Sequence, residues 1–234
     1  MRLIDAAVAA GVKRYIPSEW FTGTGLTTAI ARLPHMASKL IVRQYLEDLN
    51  RDKQVIEYSL ISPGMFMDYL AYPHVTNSKH TTIFETFVNM QDMRGFYMKG
   101  HGNDKFTVTA IHDIANVVLR VIDYEGAWPV NGGVVGETVS FSQLIELGQK
   151  LRGKQFAIDV LEPEDVEAGN LKVTKLDTIV HPSAPGNHDE YTKAAFASVL
   201  CAVATGSMVV DGEWNRLLPD YRFMTVEEML RKHF

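Results

Sequence analysis

The sequence predicts an α/β fold. Three observations carry that prediction: a helix that steps into a strand through one glycine near the N-terminus, a strand over residues 54–62 closed by Pro63-Gly64, and helix-capping signatures between later short strands. Helices and strands that alternate along a chain are the pattern from which α/β sheets are built.

The elements follow in order. Residues 1–11 place Leu3, Ile4, Ala7, Val8 and Ala10 near one helical face. Gly11 ends that helix, because glycine enters the left-handed region without a Cβ clash. A buried strand is expected over 12–19, with Val12-Lys13-Arg14-Tyr15-Ile16-Pro17 as its body. The chain opens inside a helix, with no N-cap residue and no preceding strand, so it reads as N-terminally truncated. Residues 21–33 are small and turn-rich and read as a loop. Pro34 suits the first turn of the next helix, where a missing N–H costs nothing. Met36, Leu40, Tyr45, Leu46 and Leu49 give that helix an apolar side, and it ends near Asn50.

Residues 65–104 mix aromatics and methionines without a clear period, so strand and helix are not separable there. Residues 105–110 read as a strand, and Asp113 as the cap of a helix with Ile114, Val117, Val118, Val121 and Ile122 on its apolar side. Ser140 and Gln143 form a capping box for a helix that stops at Gly153. Residues 156–161 read as a strand and 190–205 as an alanine-rich helix. Thr225 and Glu228 form a second capping box.

Composition narrows the function. The 234 residues are 46% hydrophobic, enough for a sizeable core, and carry a net charge of −5. That balance offers no bulk attraction for nucleic acid or an anionic membrane. No apolar run approaches the roughly 18 residues that span a bilayer, and no signal-peptide pattern opens the chain. The one cysteine, Cys201, excludes an internal disulfide framework and suits a reducing cytosol. It reads as a small buried apolar residue. A cytoplasmic protein with a small-molecule substrate is the expectation.

Motif searches exclude several chemistries. A dinucleotide loop of the form G-x-G-x-x-G, which lets a pyrophosphate approach bare backbone at a helix N-terminus, does not occur. Gly23-Thr24-Gly25, Gly100-His101-Gly102 and Gly132-Gly133-Val-Val-Gly136 read as turns. The eight histidines show no metal-ligand spacing, so no metal is expected. His112-Asp113 reads as a strand end and cap; His181-Pro182 and His188-Asp189 read as loops. No G-x-S-x-G elbow exists. Lys39, Arg43 and Glu47 are spaced i, i+4, i+8 and share a helix face. Such a row is ordinarily solvated surface.

The segments Leu3-Ile-Asp-Ala-Ala-Val-Ala-Ala-Gly-Val-Lys-Arg-Tyr-Ile-Pro-Ser-Glu-Trp20, Lys39-Leu-Ile-Val-Arg43, Ile61-Ser-Pro-Gly-Met-Phe66 and Asp113-Ile-Ala115 occur in an order that resembles the NmrA-like and isoflavone-reductase-like family of atypical short-chain dehydrogenases. The resemblance implies a Rossmann-like, mostly parallel sheet with a smaller C-terminal substrate lobe. Residues 1–234 would form one domain, with 1–64 the remaining Rossmann core and 65–234 the lobe plus returning Rossmann elements. It also implies NADP(H) as cofactor and a small aromatic or phenolic substrate.

By resemblance the catalytic lysine falls on Lys39. Pro17, Ser18 and Glu19, then Ser62, Pro63, Gly64 and Phe66, fall where the family places nicotinamide and substrate contacts, beyond the carboxyl ends of strands. Arg43 would ease proton release from Lys39. His35 stands where ordinary short-chain dehydrogenases carry a tyrosine and receives no role. The family's glycine loop lies in an earlier segment, about 75–100 residues at some 30 per βαβ step, and its absence exposes a sheet edge. Two other readings stand beside the reductase: a dinucleotide-sensing regulator that binds a protein partner, and an inactive fragment.

Overall fold

The computed structural model describes residues 1–74, 82–180 and 187–234. His181-Pro182 lie outside the described residues. The strand expected over 54–62 forms β2 (Glu57–Tyr58) and β3 (Leu60–Ser62), one run interrupted at Ser59. Its successive N–H groups point to opposite sides: Ser59 N–H donates to Tyr15 O at 3.2 Å, Leu60 N–H to Val130 O at 2.8 Å. On one side β2 pairs parallel with β1 (Arg14–Tyr15); on the other β3 pairs parallel with β8 (Asn131–Gly133).

Period-two alternation then sorts the side chains between two faces. Leu60 packs with Ile4, Leu46, Ile56 and Tyr58, beneath α1 (Arg2–Ala9) and α3 (Ala37–Leu49). Ile61 packs on the opposite face with Val117, Val121 and Trp214, from α4 (Ile111–Asp123) and α8 (Glu213–Leu217). A strand covered on both faces carries apolar side chains on both, as Leu60 and Ile61 do here.

A second core is built from the stretch whose period is unreadable. It resolves into β4 (Met65–Phe66), a 3-10 turn over Met67–Ala71, β5 (Val88–Asn89) and β6 (Arg94–Met98). Met65, Met67, Met90, Met93 and Met98 are buried there. Phe87 stands edge-on to Phe96, Phe141 and Phe196 at 5.6, 5.4 and 5.0 Å between ring centres. β4 runs parallel to β7 (Lys105–Thr109), which pairs antiparallel with β9 (Glu137–Ser140). β6 pairs antiparallel with β5 and parallel with β10 (Ala157–Leu161). Parallel pairing therefore predominates in a mixed α/β fold, as expected.

Both capping boxes form, at Ser140–Gln143 for α5 (Phe141–Arg152) and at Thr225–Glu228 for α9 (Val226–Arg231), and Gly153 closes α5 at φ +63°. Other expectations need correction. The strand at 12–19 contracts to β1, because Glu19 N–H turns back to Pro17 O and Trp20 adopts φ +47°. The loop at 21–33 contains α2 (Gly25–Ala29), too short for a period but anchored by buried Leu26 and Ala29. Pro34 opens a 3-10 turn, Pro34–Met36, that runs into α3.

Asp113 does not cap α4. The cap position is Ala110, and the first N–H of the helix, Ile111, donates to Asp68 Oδ2 at 2.8 Å. His112 accordingly sits in the first turn of α4, and His188-Asp189 begin α7 (His188–Ala204) instead of a loop. Gly132 and Gly133 are strand, not turn. A short helix, α6 (Pro163–Glu167), follows β10.

Candidate functional site at the strand tips

Lys39 lies on the first turn of α3, four residues before Arg43, so both side chains leave the same face. That face is turned toward the chain leaving β1. Lys39 Nζ donates to Ser18 O at 2.6 Å and to Glu19 O at 2.7 Å. Arg43 grips the Glu19 carboxylate with two bonds, Nε to Oε1 at 3.0 Å and Nη2 to Oε2 at 2.7 Å, and also reaches Gly23 O at 2.9 Å. Glu19 is 2% and Arg43 9% exposed. The row Lys39, Arg43, Glu47 is thus not the solvated face its spacing suggests: only Glu47 is exposed, and Lys39 is half-buried. Burial is the main cause that lowers the Lys39 ammonium pKa. Glu19 opposes the shift and the charge of Arg43 adds to it.

Residues 18–23 stitch this group to the next strand end. Trp20 N–H donates to Ile61 O and Gly64 N–H to Phe21 O, each at 3.0 Å. Lys39, Ser18, Glu19, Ser62 and Gly64 therefore lie along one continuous wall at the tips of β1 and β3. Several of these groups already have internal partners. Ser62 Oγ donates to Leu60 O at 2.9 Å, Pro63 O accepts from Thr109 Oγ1 at 2.7 Å, and Pro17 O accepts from Glu19 N–H at 2.8 Å. Gly64 takes φ +70°, and a Cβ there would run into the carbonyl of Thr107.

Phe66 stands one step beyond this wall. Its half-buried ring lies 5.7 Å from Tyr69, which lies 4.2 Å from Phe84. Burial, helped by the charge of Asp68, pushes the Tyr69 hydroxyl up to about 12. Burial likewise lowers the His35 pKa. Roles for Glu19 and Arg43 follow separately from the resemblance; the buried ion pair between them does not. The four-residue spacing from Lys39 signals Arg43, and the aromatic and methionine stretch over 65–98 includes Tyr69. Among the described residues no group of three or more His, Cys, Asp or Glu could hold a metal ion, and no helix is long and apolar enough to cross a membrane.

A sequence profile described as the NmrA-like family matches residues 1–193. The chain belongs to the NmrA-like family. This NmrA-like chain is 23% identical over 248 residues to "Oxidoreductase swnN" of Metarhizium robertsii, covering 99% of itself and 72% of that protein. Its fold is similar to the leucoanthocyanidin reductase–NADPH complex of Vitis vinifera, with TM-score 0.62 at 19% identity over 99% of this chain and 69% of that one. It is also similar to the NADPH-dependent quinone oxidoreductase QOR2 of Escherichia coli in complex with NADPH, with TM-score 0.61 at 20% identity over 98% and 69%.

Proposed function

We propose that this chain carries the acid–base part of an NADP(H)-dependent reductase acting on small aromatic or phenolic metabolites. The observation that carries the reading is the Lys39 amine at the strand tips. An ammonium has three N–H donors. Two are held by Ser18 and Glu19 carbonyls, which leaves one to meet a ligand. Open α/β sheets bind ligands in this position, beyond the carboxyl ends of their strands. Two of the similar solved structures hold NADPH.

The residues present suit the nicotinamide end of a dinucleotide. Backbone at Pro17–Ser18 and at Pro63–Gly64 would flank the ring, with Lys39 beside it. They do not suit a pyrophosphate. The N–H of Gly133 is already given to the Glu213 carboxylate at 2.8 Å, a charge that repels phosphate. Gly25 is explained by packing, since a Cβ there would strike Ser207 backbone. The phosphates would therefore need groups other than these glycines.

Reduction of a polarised double bond consumes one hydride, which the bound dinucleotide supplies, and one proton. Lys39 would give its free proton to the developing oxyanion and regain one from water. Its lowered pKa favours that release. Tyr69, raised to about 12, keeps its proton at neutral pH and is no base there. The half-buried stack of Phe66, Tyr69 and Phe84 would instead offer ring faces to an aromatic substrate.

The test follows oxidation of NADPH over a panel of aromatic enones, quinones and phenolic aldehydes, alongside a fluorescence titration of NADPH. Lys39→Ala is expected to lower turnover by about a hundredfold or more with dinucleotide affinity kept. Unchanged turnover would remove Lys39 from the chemistry. Dinucleotide binding with no consumption across the panel, together with dinucleotide-dependent capture of a protein partner, would replace the reductase by a sensor.

A further inference from the structure

We propose that Arg43 is a positioning residue for Lys39: it occupies both oxygens of the Glu19 carboxylate, denies that carboxylate to the ammonium, and leaves Lys39 held by neutral carbonyl oxygens with one N–H free. The proposal deepens the reductase reading, because it concerns the state in which the same amine meets a ligand.

Lysine and arginine both approach Glu19, from adjacent turns of one helix. A lysine beside a buried carboxylate would ordinarily form the salt bridge itself. Here the planar guanidinium takes it through a two-bond fork, a geometry that an ammonium cannot match. The third contact, Arg43 Nη2 to Gly23 O at 2.9 Å, ties the guanidinium to the chain beyond Trp20 and fixes its plane. The Lys39 ammonium receives only the Ser18 and Glu19 carbonyls, at 2.6 and 2.7 Å. Those partners orient the amine without neutralising it.

The consequence is electrostatic. A half-buried ammonium that owns no counter-ion releases its proton more readily than a salt-bridged one. The charged groups that act on Lys39 are Glu19 from the strand tip and Arg43 from its own helix; the first raises its pKa and the second lowers it. His35, four residues before Lys39 in the 3-10 turn that runs into α3, has its own pKa lowered by burial. Arg43 thus acts twice: directly as a neighbouring positive charge, and through Glu19 by removing the partner that would hold the proton on.

The experiment reads the amine without reference to any turnover. The whole chain is acetylated with trace acetic anhydride at a series of pH values, and the rate at Lys39 is followed by peptide mass spectrometry. Only the unprotonated amine reacts, so the pH profile reports its basicity. Arg43→Met removes a positive charge and frees Glu19 to hold Lys39; acetylation at mildly alkaline pH is expected to slow by about threefold or more. Glu19→Gln removes the negative charge and leaves Arg43; acetylation is expected to quicken by a similar factor.

Opposite signs from the two halves of one ion pair separate the proposal from simple loosening, which would expose the amine and move both variants the same way. A common direction, or no change in either, overturns it. Should either variant lose a cooperative thermal transition, Arg43→Lys is read in its place: it keeps the charge but loses the fork, and is expected to fall between wild type and the Arg43→Met prediction. A wild-type profile in Arg43→Lys overturns the proposal. Because the readout needs neither cofactor nor substrate, a failure here is distinct from a failure of the reductase reading, which rests on NADPH consumption.

Discussion

Asp113 and Tyr221 meet inside the protein, the tyrosine hydroxyl donating to Asp113 Oδ1 at 2.8 Å across 108 residues of sequence. Asp113 is fully buried, and its other oxygen accepts the Met224 N–H at 2.8 Å. One carboxylate on α4 therefore pins the segment that leads into α9. Charge-assisted hydrogen bonds of this kind contribute more than neutral ones, because an unpaired buried carboxylate bears its full desolvation penalty. Tyr221→Phe is expected to lower unfolding stability by about 1.5–3 kcal/mol, measured by urea titration. Asp113→Ala, which strands both donors, should cost more. A cost within error of zero for Tyr221→Phe would mean that the segment is not held by this bond.

The Glu19–Arg43 pair makes a separate prediction for stability. Breaking a buried ion pair by removing one partner strands the other charge and costs about 3–5 kcal/mol; in Arg43→Met the Lys39 ammonium, with two N–H groups already given to carbonyls, offsets only part of that loss for Glu19. Replacing both partners by neutral residues costs much less. Arg43→Met alone should therefore destabilise the fold more than the double variant Glu19→Gln with Arg43→Met. A thermodynamic cycle in urea checks this, and simple additivity of the two single changes would show that the pair is solvated in solution.

Lys39 should leave a mark on the pH dependence of stability. Its pKa in the folded chain is lowered, chiefly by burial, from the ordinary 10.5. Between the lowered value and 10.5 the unfolded chain binds the proton that the folded chain has lost. Stability contributed by this group therefore rises with pH through that window. Below the window both states are protonated and the folded chain bears the whole burial penalty. Relative to Lys39→Met, the wild type should gain stability as pH climbs toward 10.5. The slope carries the information, because the offset also contains the two lost carbonyl hydrogen bonds. Parallel curves for the two proteins would show that the ammonium is not desolvated.

What was legible in the sequence was local. The capping boxes at Ser140 and Thr225 are complete within four residues, so the starts of α5 and α9 are legible in the sequence. The helix and Gly11 at the N-terminus are also local signals, but the strand after them is shorter than its pattern because the chain turns back at Glu19. The cap of α4 is not local and so leaves no sequence signal: Asp68 lies 43 residues from the N–H it accepts. Residues 65–104 gave no period because their strands and turn are two to five residues long. At the site, the roles of Lys39, Ser18 and Glu19 are what the resemblance implies; the structure adds that Lys39 donates to the Ser18 and Glu19 carbonyls. The burial of Arg43 did not come from either route. Helical spacing cannot distinguish a solvated row of charges from one whose middle member meets a carboxylate 24 residues away.

Glycine provides the sharpest contrast between local and distant causes. Gly153 sits at φ +63° with open space where a Cβ would go, so its requirement is backbone conformation alone. Gly133 has an ordinary φ, but a Cβ there would overlap the Asp211 carbonyl and the Glu213 carboxylate that accepts its own N–H. The nearest obstacle is backbone, which no rotamer change can move aside. Gly153→Ala is expected to cost about 1–2 kcal/mol, the left-handed penalty for an L-residue. Gly133→Ala is expected to cost about 3 kcal/mol or more, since overpacking against fixed backbone forces β8 away from its neighbour. Thermal melts of the two variants decide the matter. Equal losses at both positions would show that the 211–213 segment yields, and that β8 tolerates a side chain where the sequence has none.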